Sequence, residues 1–249
     1  MPVVHIQVCG HIAVLRDGER RDPGIPGRQG RELLVLLVLR RDRAISRSQI
    51  IGLLWPDGAP RAADAALNSL LSKLRRVLGP DLLVGKAEPH LALPAGSFVD
   101  FEAASSAVHR AESAVAAGHW AQAWGPARVA LHTATRGLLP GHEAPWVQDE
   151  RRELESIRRR ALECVAAAGL GLGGGEVAAA ERAGRALISS WPFHESGYAV
   201  LIDALDAHGN VAEALLVYEE LRCLLRDELG ITPSAQLQQR HRELLLQRA

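Results

Sequence analysis

The clearest helical pattern in the N-terminal half of the chain lies in residues 61–78. Its apolar positions fall three, four, seven, ten and eleven residues after the first, so that they share one stripe of a helix. They are Leu67, Leu70, Leu71, Leu74, Val77 and Leu78. Gly79 and Pro80 follow, as is typical of a helix end. The pattern predicts an amphipathic helix with one face in a core.

Shorter patterns surround this helix. β-favouring runs indicate strands, a continuous apolar run with charged ends favours a buried helix, and Ser46 is a suitable N-cap for the helix after it. The predicted elements are strands in residues 3–8 and 12–15, helices in 31–41 and 47–54, and a hairpin of 82–84 with 90–93. The sequence therefore predicts a small β component around three helices.

From Phe101 onward the patterns are helical only. Glycine and proline interrupt them at Gly118, residues 140–141, 169–175, 191–192, 209–210 and 232–233. The change from mixed strand and helix patterns to helical patterns alone predicts a linker near residues 94–100. The predicted domains are therefore residues 1–96 and residues 97–249. The fold class expected is mainly α with a small β component.

Weak internal similarity marks the second half. Residues 116–123 resemble residues 206–214, because each is a helix end, a glycine turn and a helix start rich in small residues. Residues 199–225 resemble a tetratricopeptide unit, with Gly209, Ala214 and Tyr218 expected at the seam between two helices. The alternative is antiparallel helix packing of no particular kind.

Composition agrees with close-packed helices, because aromatic residues make up only 4% of the 249 residues. The three cysteines (Cys9, Cys164 and Cys223) form no CxxC, which favours a reducing compartment. We find neither a signal peptide nor a membrane-length apolar run and expect a cytoplasmic protein. His5 with His11 is the nearest approach to a metal site, and ordinary surface histidines explain that pair better. No nucleophile or phosphate-binding motif is present, so we expect no enzyme and no cofactor.

The zero net charge hides an asymmetry. Residues 1–98 hold 14 Lys and Arg against 9 Asp and Glu, and the remainder is acidic to the same extent. A basic domain joined to an acidic one is a modest indication of polyanion binding, with chance variation as the alternative.

The polar face of residues 61–78 suits DNA recognition. It carries Arg61, Ala65, Asn68, Ser69, Ser72 and Arg76, with Lys73 and Arg75 at its two sides. Asn pairs with adenine and Arg with guanine, while Ser and Lys reach phosphates. A helix precedes this segment, and a hairpin carrying Lys86 and His90 follows it. That layout is typical of a winged helix-turn-helix. The alternative is a solvated polar face on a structural helix.

Two sets of strings resemble a known family. The first set comprises residues 30–37 (GRELLVLL), 45–50 (ISRSQI), 54–56 (LWP) and 68–78 (NSLLSKLRRVL). It resembles the DNA-binding domain of the Streptomyces antibiotic regulatory proteins, which is similar to the winged helix of OmpR-type response regulators. The second set comprises residues 99–102 (VDFE), 139–141 (LPG), 146–147 (WV), 192–195 (PFHE), Tyr218 and 229–237 (LGITPSAQL). It resembles the bacterial transcriptional activator domain of the same family.

The resemblance implies a sequence-specific activator that binds direct repeats in promoter DNA as a homodimer and recruits RNA polymerase to antibiotic biosynthesis genes. It implies DNA contacts by Ser69, Ser72, Lys73, Arg75 and Arg76. It also implies a polymerase-facing loop at Trp55, Pro56 and Asp57. One departure is the segment 90–93 (HLAL), which lacks the aromatic residue often found before the last strand of the wing.

Two other functions stay open at this point. The low density of basic residues on the recognition face motivates a protein-interaction scaffold with weak or no DNA binding. The concave surface that helical repeats form motivates a small-ligand sensor in the second half.

Overall fold

The computed structural model describes residues 3–246. The chain divides into two compact units, each built from two segments. The first comprises Met1–Ala103 with Thr133–Glu155, and the second comprises Ala104–His132 with Ser156–Ala249. The predicted domain boundary between residues 96 and 97 stays a prediction.

The first unit contains a four-stranded sheet in the order β3-β2-β1-β6. Its strands are β1 (Val4–Gln7), β2 (Ala13–Arg16), β3 (Glu19–Arg20) and β6 (Phe98–Val99). The pairs β1–β2 and β2–β3 are antiparallel, whereas β6 runs parallel to β1. Asp17 and Gly18, both with positive φ, form the tight turn between β2 and β3. The two predicted N-terminal strands are present at slightly different bounds.

Three helices pack against one another beside this sheet. They are α1 (Gly27–Leu39), α2 (Arg47–Leu54) and α3 (Ala63–Leu78). The apolar run of α1 is buried on all sides, as its lack of periodicity indicated. Ser46 caps α2 through a reciprocal pair of hydrogen bonds with Gln49, which is why the predicted and observed bounds of α2 agree. A two-stranded wing, β4 (Leu83–Val84) with β5 (His90–Leu91), follows α3.

The predicted linker near residues 94–100 is wrong for its last three residues. Phe98 and Val99 form β6, and the Asp100 carboxylate accepts hydrogen bonds from the backbone N–H groups of Val8 (2.8 Å) and Cys9 (3.1 Å). Burial raises the pKa of the Asp100 carboxyl. These contacts make the segment part of the first unit.

Residues 133–155 complete the first unit. The Gly10 N–H donates to the Gly137 carbonyl (2.7 Å), and Cys9 forms a β-bridge with Leu138. Glu32 and His142 are both buried, and His142 Nδ1 lies 2.7 Å from Glu32 Oε1. A buried carboxylate needs such a partner, because desolvation without one is costly.

Helices account for the rest of the chain. They are α4 (Asp100–Ala116), α5 (Trp120–Thr135), α6 (Pro145–Leu172), α7 (Val177–Ser190), α8 (Glu195–Ala207), α9 (Val211–Leu229) and α10 (Ala235–Leu246). The structure agrees with the predicted class of a mainly α protein with a small β component. Within residues 3–246 no helix has both the length and the apolar character needed to cross a bilayer.

The two similar stretches of the second unit form the same turn. Gly118 and Gly209 both have positive φ, and the residue after each donates its N–H to the carbonyl five residues earlier. This is the Schellman arrangement, which glycine allows at no steric cost. Ala214 and Tyr218 lie in the core between helices as expected, whereas Gly209 is an exposed turn residue and does not lie at the seam.

The predicted break at residues 169–175 begins too early, because α6 continues to Leu172. Gly169 and Gly171 are helical residues that allow close packing. A Cβ at position 169 would lie 2.8 Å from the Glu176 carbonyl oxygen, and one at position 171 would lie 2.4 Å from the Trp120 ring. The glycines here therefore serve helix packing, and only Gly173 and Gly174 form the turn.

Candidate nucleic-acid interface

The helix α3 has two distinct faces. Leu67, Leu71, Leu74 and Leu78 are buried in the core of the first unit. On the opposite face the side chains are exposed, and they include Asn68, Ser69, Ser72, Lys73 and Arg76. The predicted recognition residues on α3 therefore lie together on one accessible surface, which we call the α3 face.

Arg61 does not belong to α3. The helix begins at Ala63, and Arg61 lies exposed in the turn before it. The expected helix start at residue 61 is wrong, because Ala62 occupies the N-cap position with a non-helical backbone and offers no capping side chain.

Asn68 is held by a residue that the sequence analysis missed. Arg47, at the start of α2, donates from Nη2 to Asn68 Oδ1 (3.0 Å) and to Asp64 Oδ1 (3.2 Å). Because the amide oxygen of Asn68 is engaged, its NH₂ group is left to donate. Arg47 directly follows the Ser46 cap in the sequence. Its two partners lie 17 and 21 residues away, so the local pattern does not reveal the contact.

Arg75 and Arg76 are neighbours with different surroundings. The Arg75 guanidinium donates to the backbone carbonyls of Leu83 (3.1 Å) and Gly85 (3.0 Å), at the start of the wing. Arg76 is exposed and makes no hydrogen bond or ion pair with any residue in 3–246. The structure thus places Arg75 as a tether between α3 and the wing, with its donors already directed at protein carbonyls.

A second cationic segment lies beside the C-terminal half of the α3 face. Arg20 and Arg21 border a surface cavity of about 440 Å³ together with Lys73 and Arg76. The sequence analysis did not select Arg20 or Arg21, although two adjacent arginines at the end of a strand were a visible signal. Arg20 pairs with Asp22 and Arg21 with Glu19, so Lys73 and Arg76 supply the unpaired charge at this cavity.

Acidic residues hold the arginines around the helix end in place. Arg20 contacts both carboxylate oxygens of Asp22 (3.2 and 2.7 Å), and this hydrogen bonding lowers the pKa of the Asp22 carboxyl. Arg16 donates to the Leu78 carbonyl at the end of α3 and to both Asp81 carboxylate oxygens, which lowers the pKa of Asp81 in the same way. Arg16 therefore anchors the C-terminus of α3 to β2.

The wing presents Lys86 to solvent. Lys86 is exposed in the β4–β5 connection and has no ion-pair partner among the residues described. His90 Nδ1 lies 3.0 Å from the Glu88 carbonyl, so the histidine at the position of the missing aromatic residue packs on its own turn.

The loop between α2 and α3 contains the expected polymerase-facing residues. Trp55 is half-buried, whereas Pro56 and Asp57 are exposed. The Gly58 N–H donates to the Trp55 carbonyl (3.2 Å) and closes a turn.

The structure brings together no group of metal ligands within residues 3–246. His5 packs on the Phe98 ring with centroids 5.6 Å apart. All three cysteines are free, and burial raises the pKa of Cys9 and raises that of Cys164 to about 12. Neither buried thiol forms a thiolate readily at neutral pH.

Comparison with known proteins then identifies the chain. A family model described as the bacterial transcriptional activator domain matches residues 99–245. The chain belongs to this family. The match covers more than half of the sequence and includes the helical second half.

Relatives of this activator family agree with that assignment. The chain is 34% identical over 240 residues to the regulatory protein AfsR of Streptomyces coelicolor, which covers 96% of the chain and 24% of AfsR. It is 28% identical over 253 residues to the transcriptional regulatory protein EmbR of Mycobacterium tuberculosis, covering 96% of the chain and 63% of EmbR. It is 27% identical to the transcriptional regulator RedD of Streptomyces coelicolor, covering 98% of the chain and 71% of RedD. The chain thus spans about a quarter of the AfsR proteins.

A solved structure shares the fold. Mycobacterium tuberculosis EmbR, in complex with a low-affinity phosphopeptide, superimposes with a TM-score of 0.83 and 23% identity, covering 99% of this chain and 66% of that one. The predicted fold of a winged helix-turn-helix followed by tetratricopeptide-like helices is confirmed, as is the resemblance to the Streptomyces antibiotic regulatory proteins.

Proposed function

We propose that this chain is a transcriptional activator that binds promoter DNA through the α3 face and recruits RNA polymerase. The proposal rests on cations on and around that face that are exposed and lack acidic partners among the residues described. Lys73, Arg76 and Lys86 are exposed, and none has an acidic partner in residues 3–246. Cations left unpaired in a protein that pairs most of its arginines are suited to phosphates, whose counterions they displace.

The α3 face assigns different roles to its residues. The small side chains of Ser69 and Ser72 let the helix approach bases closely. Asn68, oriented by Arg47, would donate its NH₂ to a base edge. The unpaired Lys73 and Arg76 would contact phosphates.

Arg75 contributes to this surface by contacting the wing. Because its guanidinium is engaged by the Leu83 and Gly85 carbonyls, its proposed contribution to DNA binding is to position the wing, and with it Lys86. Arg61, in the turn before α3, is a further proposed phosphate contact. These roles refine the set of DNA-binding residues expected from the sequence.

The remaining parts of the proposal come from the family. The resemblance to the Streptomyces antibiotic regulatory proteins supports control of antibiotic biosynthesis genes, with two copies of the chain on a direct repeat. The exposed Pro56 and Asp57, with Trp55 beneath them, are the proposed contact with RNA polymerase. The competing function is a protein-interaction scaffold. The ion-paired arginines of the second unit are compatible with that function for the second unit alone.

Selection from a randomised duplex pool tests the DNA-binding part. The wild-type chain should enrich a direct repeat, because half-site spacing reflects the geometry of two bound copies. An Asn68→Ala/Arg76→Ala variant should lose both enrichment and affinity by at least about tenfold, since one base contact is worth roughly 1–3 kcal/mol.

Arg110→Ala is the matched control. Arg110 is an exposed arginine on α4 with no ion pair among the residues described, so this variant should enrich the same repeat as the wild type. Equal enrichment by all three proteins would remove the α3 face from the proposal, whereas no enriched sequence with folded wild type would favour the scaffold.

Transcription in vitro tests the polymerase part separately. A Pro56→Ala/Asp57→Ala variant should bind the enriched repeat with wild-type affinity and fail to activate a promoter that contains it. Full activation by this variant would remove the loop from the proposal and leave the DNA-binding part intact.

A further inference from the structure

A second cavity of the first unit has no part in the α3 face. Its volume is about 720 Å³, within the range of small-molecule sites. All of its lining residues belong to the first unit. They are Gln7, Gly10, His11, Ile12, Asp22, Pro23, Ile25, Arg31, Arg136, Leu139, Pro140 and His142.

The charges around this cavity favour an anion. Arg31 makes no ion pair or hydrogen bond in the part of the chain that the structure describes. Arg136 contacts Asp100 through Nη2 (3.2 Å), but its Nε is buried and has no acceptor in residues 3–246. The one lining carboxylate, Asp22, is already engaged by Arg20. The buried Arg136 Nε is costly to leave without an acceptor, and the exposed Arg31 adds a positive charge at the same cavity.

The other walls supply a histidine ring nitrogen and apolar surface. His142 uses Nδ1 toward Glu32 and leaves its second ring nitrogen without a partner among the described residues. Ile12, Ile25 and Leu139 provide apolar surface. A site of this composition fits a molecule with an apolar body and an acidic group.

The wall formed by Leu139 is held by hydrogen bonds in an unusual backbone conformation. Leu139 has φ of +44°, which L residues rarely adopt. Arg151 holds the segment there by donating to the carbonyls of Leu138 (2.9 Å) and Leu139 (2.6 Å). A wall fixed in this conformation is preformed for a ligand, and binding therefore requires little ordering of the chain.

We propose that this cavity binds a small organic acid, with Arg31 and Arg136 at its carboxylate or phosphate group. The assignment stands on the cavity and its charges, independently of DNA binding. One consequence does rest on the proposed function. Pro23 lines this cavity and also the one beside Lys73 and Arg76, and Gly24 packs directly on Val77 of α3. An occupant would therefore contact the turn that supports the recognition helix.

Three matched probes test the site in the full chain. They are naphthoate, naphthyl phosphate and the neutral naphthylmethanol, which share an apolar body and differ in the polar group. Titration followed by amide chemical shifts should show saturable binding of at least one anion, with shifts at Gly10, Ile12 and Leu139, and much weaker binding of the alcohol. Comparison of the two anions distinguishes a carboxylate ligand from a phosphate ligand.

Arg31→Met provides the decisive variant. Arg31 is exposed and unpaired in residues 3–246, so the variant should fold, and it should weaken anion binding by about tenfold or more. Arg43→Met removes the same charge from an exposed residue of this unit that does not line the cavity, and it should bind as wild type.

Two results would overturn the proposal: no saturable binding at millimolar concentration, or equal weakening by both variants. A probe that binds here without changing DNA affinity removes only the link to α3. If the wild-type chain binds no DNA, the proposed function fails and the cavity assignment is unaffected.

Discussion

Several arginines that join helices of the second unit differ from the cations of the α3 face in having acidic partners. In the second unit, Arg160 pairs with Glu112 between α6 and α4, and Arg185 with Glu213 between α7 and α9. Arg240 on α10 contacts both Asp203 and Asp206 on α8. On the α3 face, Lys73 and Arg76 have no such partner among the residues described.

This difference separates charge that stabilises a fold from charge available to a ligand. Pairing a cation with a carboxylate removes most of its attraction for a phosphate. A cation that the fold leaves unpaired adds self-repulsion and little stability. A group of such cations on one exposed face is therefore better explained by binding than by folding, whereas a single exposed arginine such as Arg110 needs no such explanation. Two pairs of variants and one single variant can break or sharpen this comparison.

The largest expected effect is on stability in the second unit. Arg240→Met leaves Asp203 and Asp206 facing each other without a cation, and we expect the free energy of unfolding to fall by roughly 1–2 kcal/mol, discounted for partial exposure. Arg76→Met should change it by less than about 0.5 kcal/mol. Urea denaturation of both variants measures the difference. Equal losses would contradict the distinction between paired and unpaired arginines.

A smaller effect separates two neighbours on α3. Arg75→Met breaks two hydrogen bonds to the wing and should lower the free energy of unfolding by about 1 kcal/mol. Arg76→Met, which breaks none in residues 3–246, serves as the control. Hydrogen exchange at Ala92, whose N–H donates to the Leu82 carbonyl at the base of the wing (2.8 Å), should accelerate only in the Arg75 variant. Unchanged exchange there would mean that Arg75 does not hold the wing.

The smallest effect concerns pH at the end of α3. Hydrogen bonding by Arg16 lowers the pKa of the Asp81 carboxyl below its unfolded value, so the ionised form stabilises the fold. That stabilisation is complete above the ordinary pKa of aspartate and is lost as pH falls through the lowered pKa. Asp81→Asn should therefore be less stable than wild type at neutral pH, and the difference should shrink in acid. A difference independent of pH would exclude the ion pair as its cause.

Local patterns were sufficient to predict most elements. The leucine stripe of α3 and the Ser46–Gln49 cap of α2 act over one or two helical turns, so the sequence contains their whole cause. The break at 169–175 was placed too early because a helical glycine that allows close packing looks the same in sequence as one that forms a turn. Its role depends on Trp120 and Glu176, which the local pattern does not reveal.

The surroundings of the candidate site could be predicted only in part. Helical periodicity places Asn68, Ser72 and Arg76 on one face. It does not reveal that Arg75 binds wing carbonyls or that Arg20 and Arg21 border the same cavity as Lys73. Residues 133–155 join the first unit through pairings such as Gly10 with Gly137, far apart in sequence. Such contacts depend on tertiary packing, for which the chain carries no periodic signal.

The central claim is that the unpaired cations of the α3 face bind DNA phosphates. The most direct test is the salt dependence of binding to the selected repeat, for wild type, Lys73→Met/Arg76→Met and the control Arg110→Met. If each cation contacts one phosphate, the slope of log affinity against log salt should shrink by about 0.9 per cation in each bound copy of the double variant. The control should match wild type. An unchanged slope and affinity in the folded double variant would contradict the account.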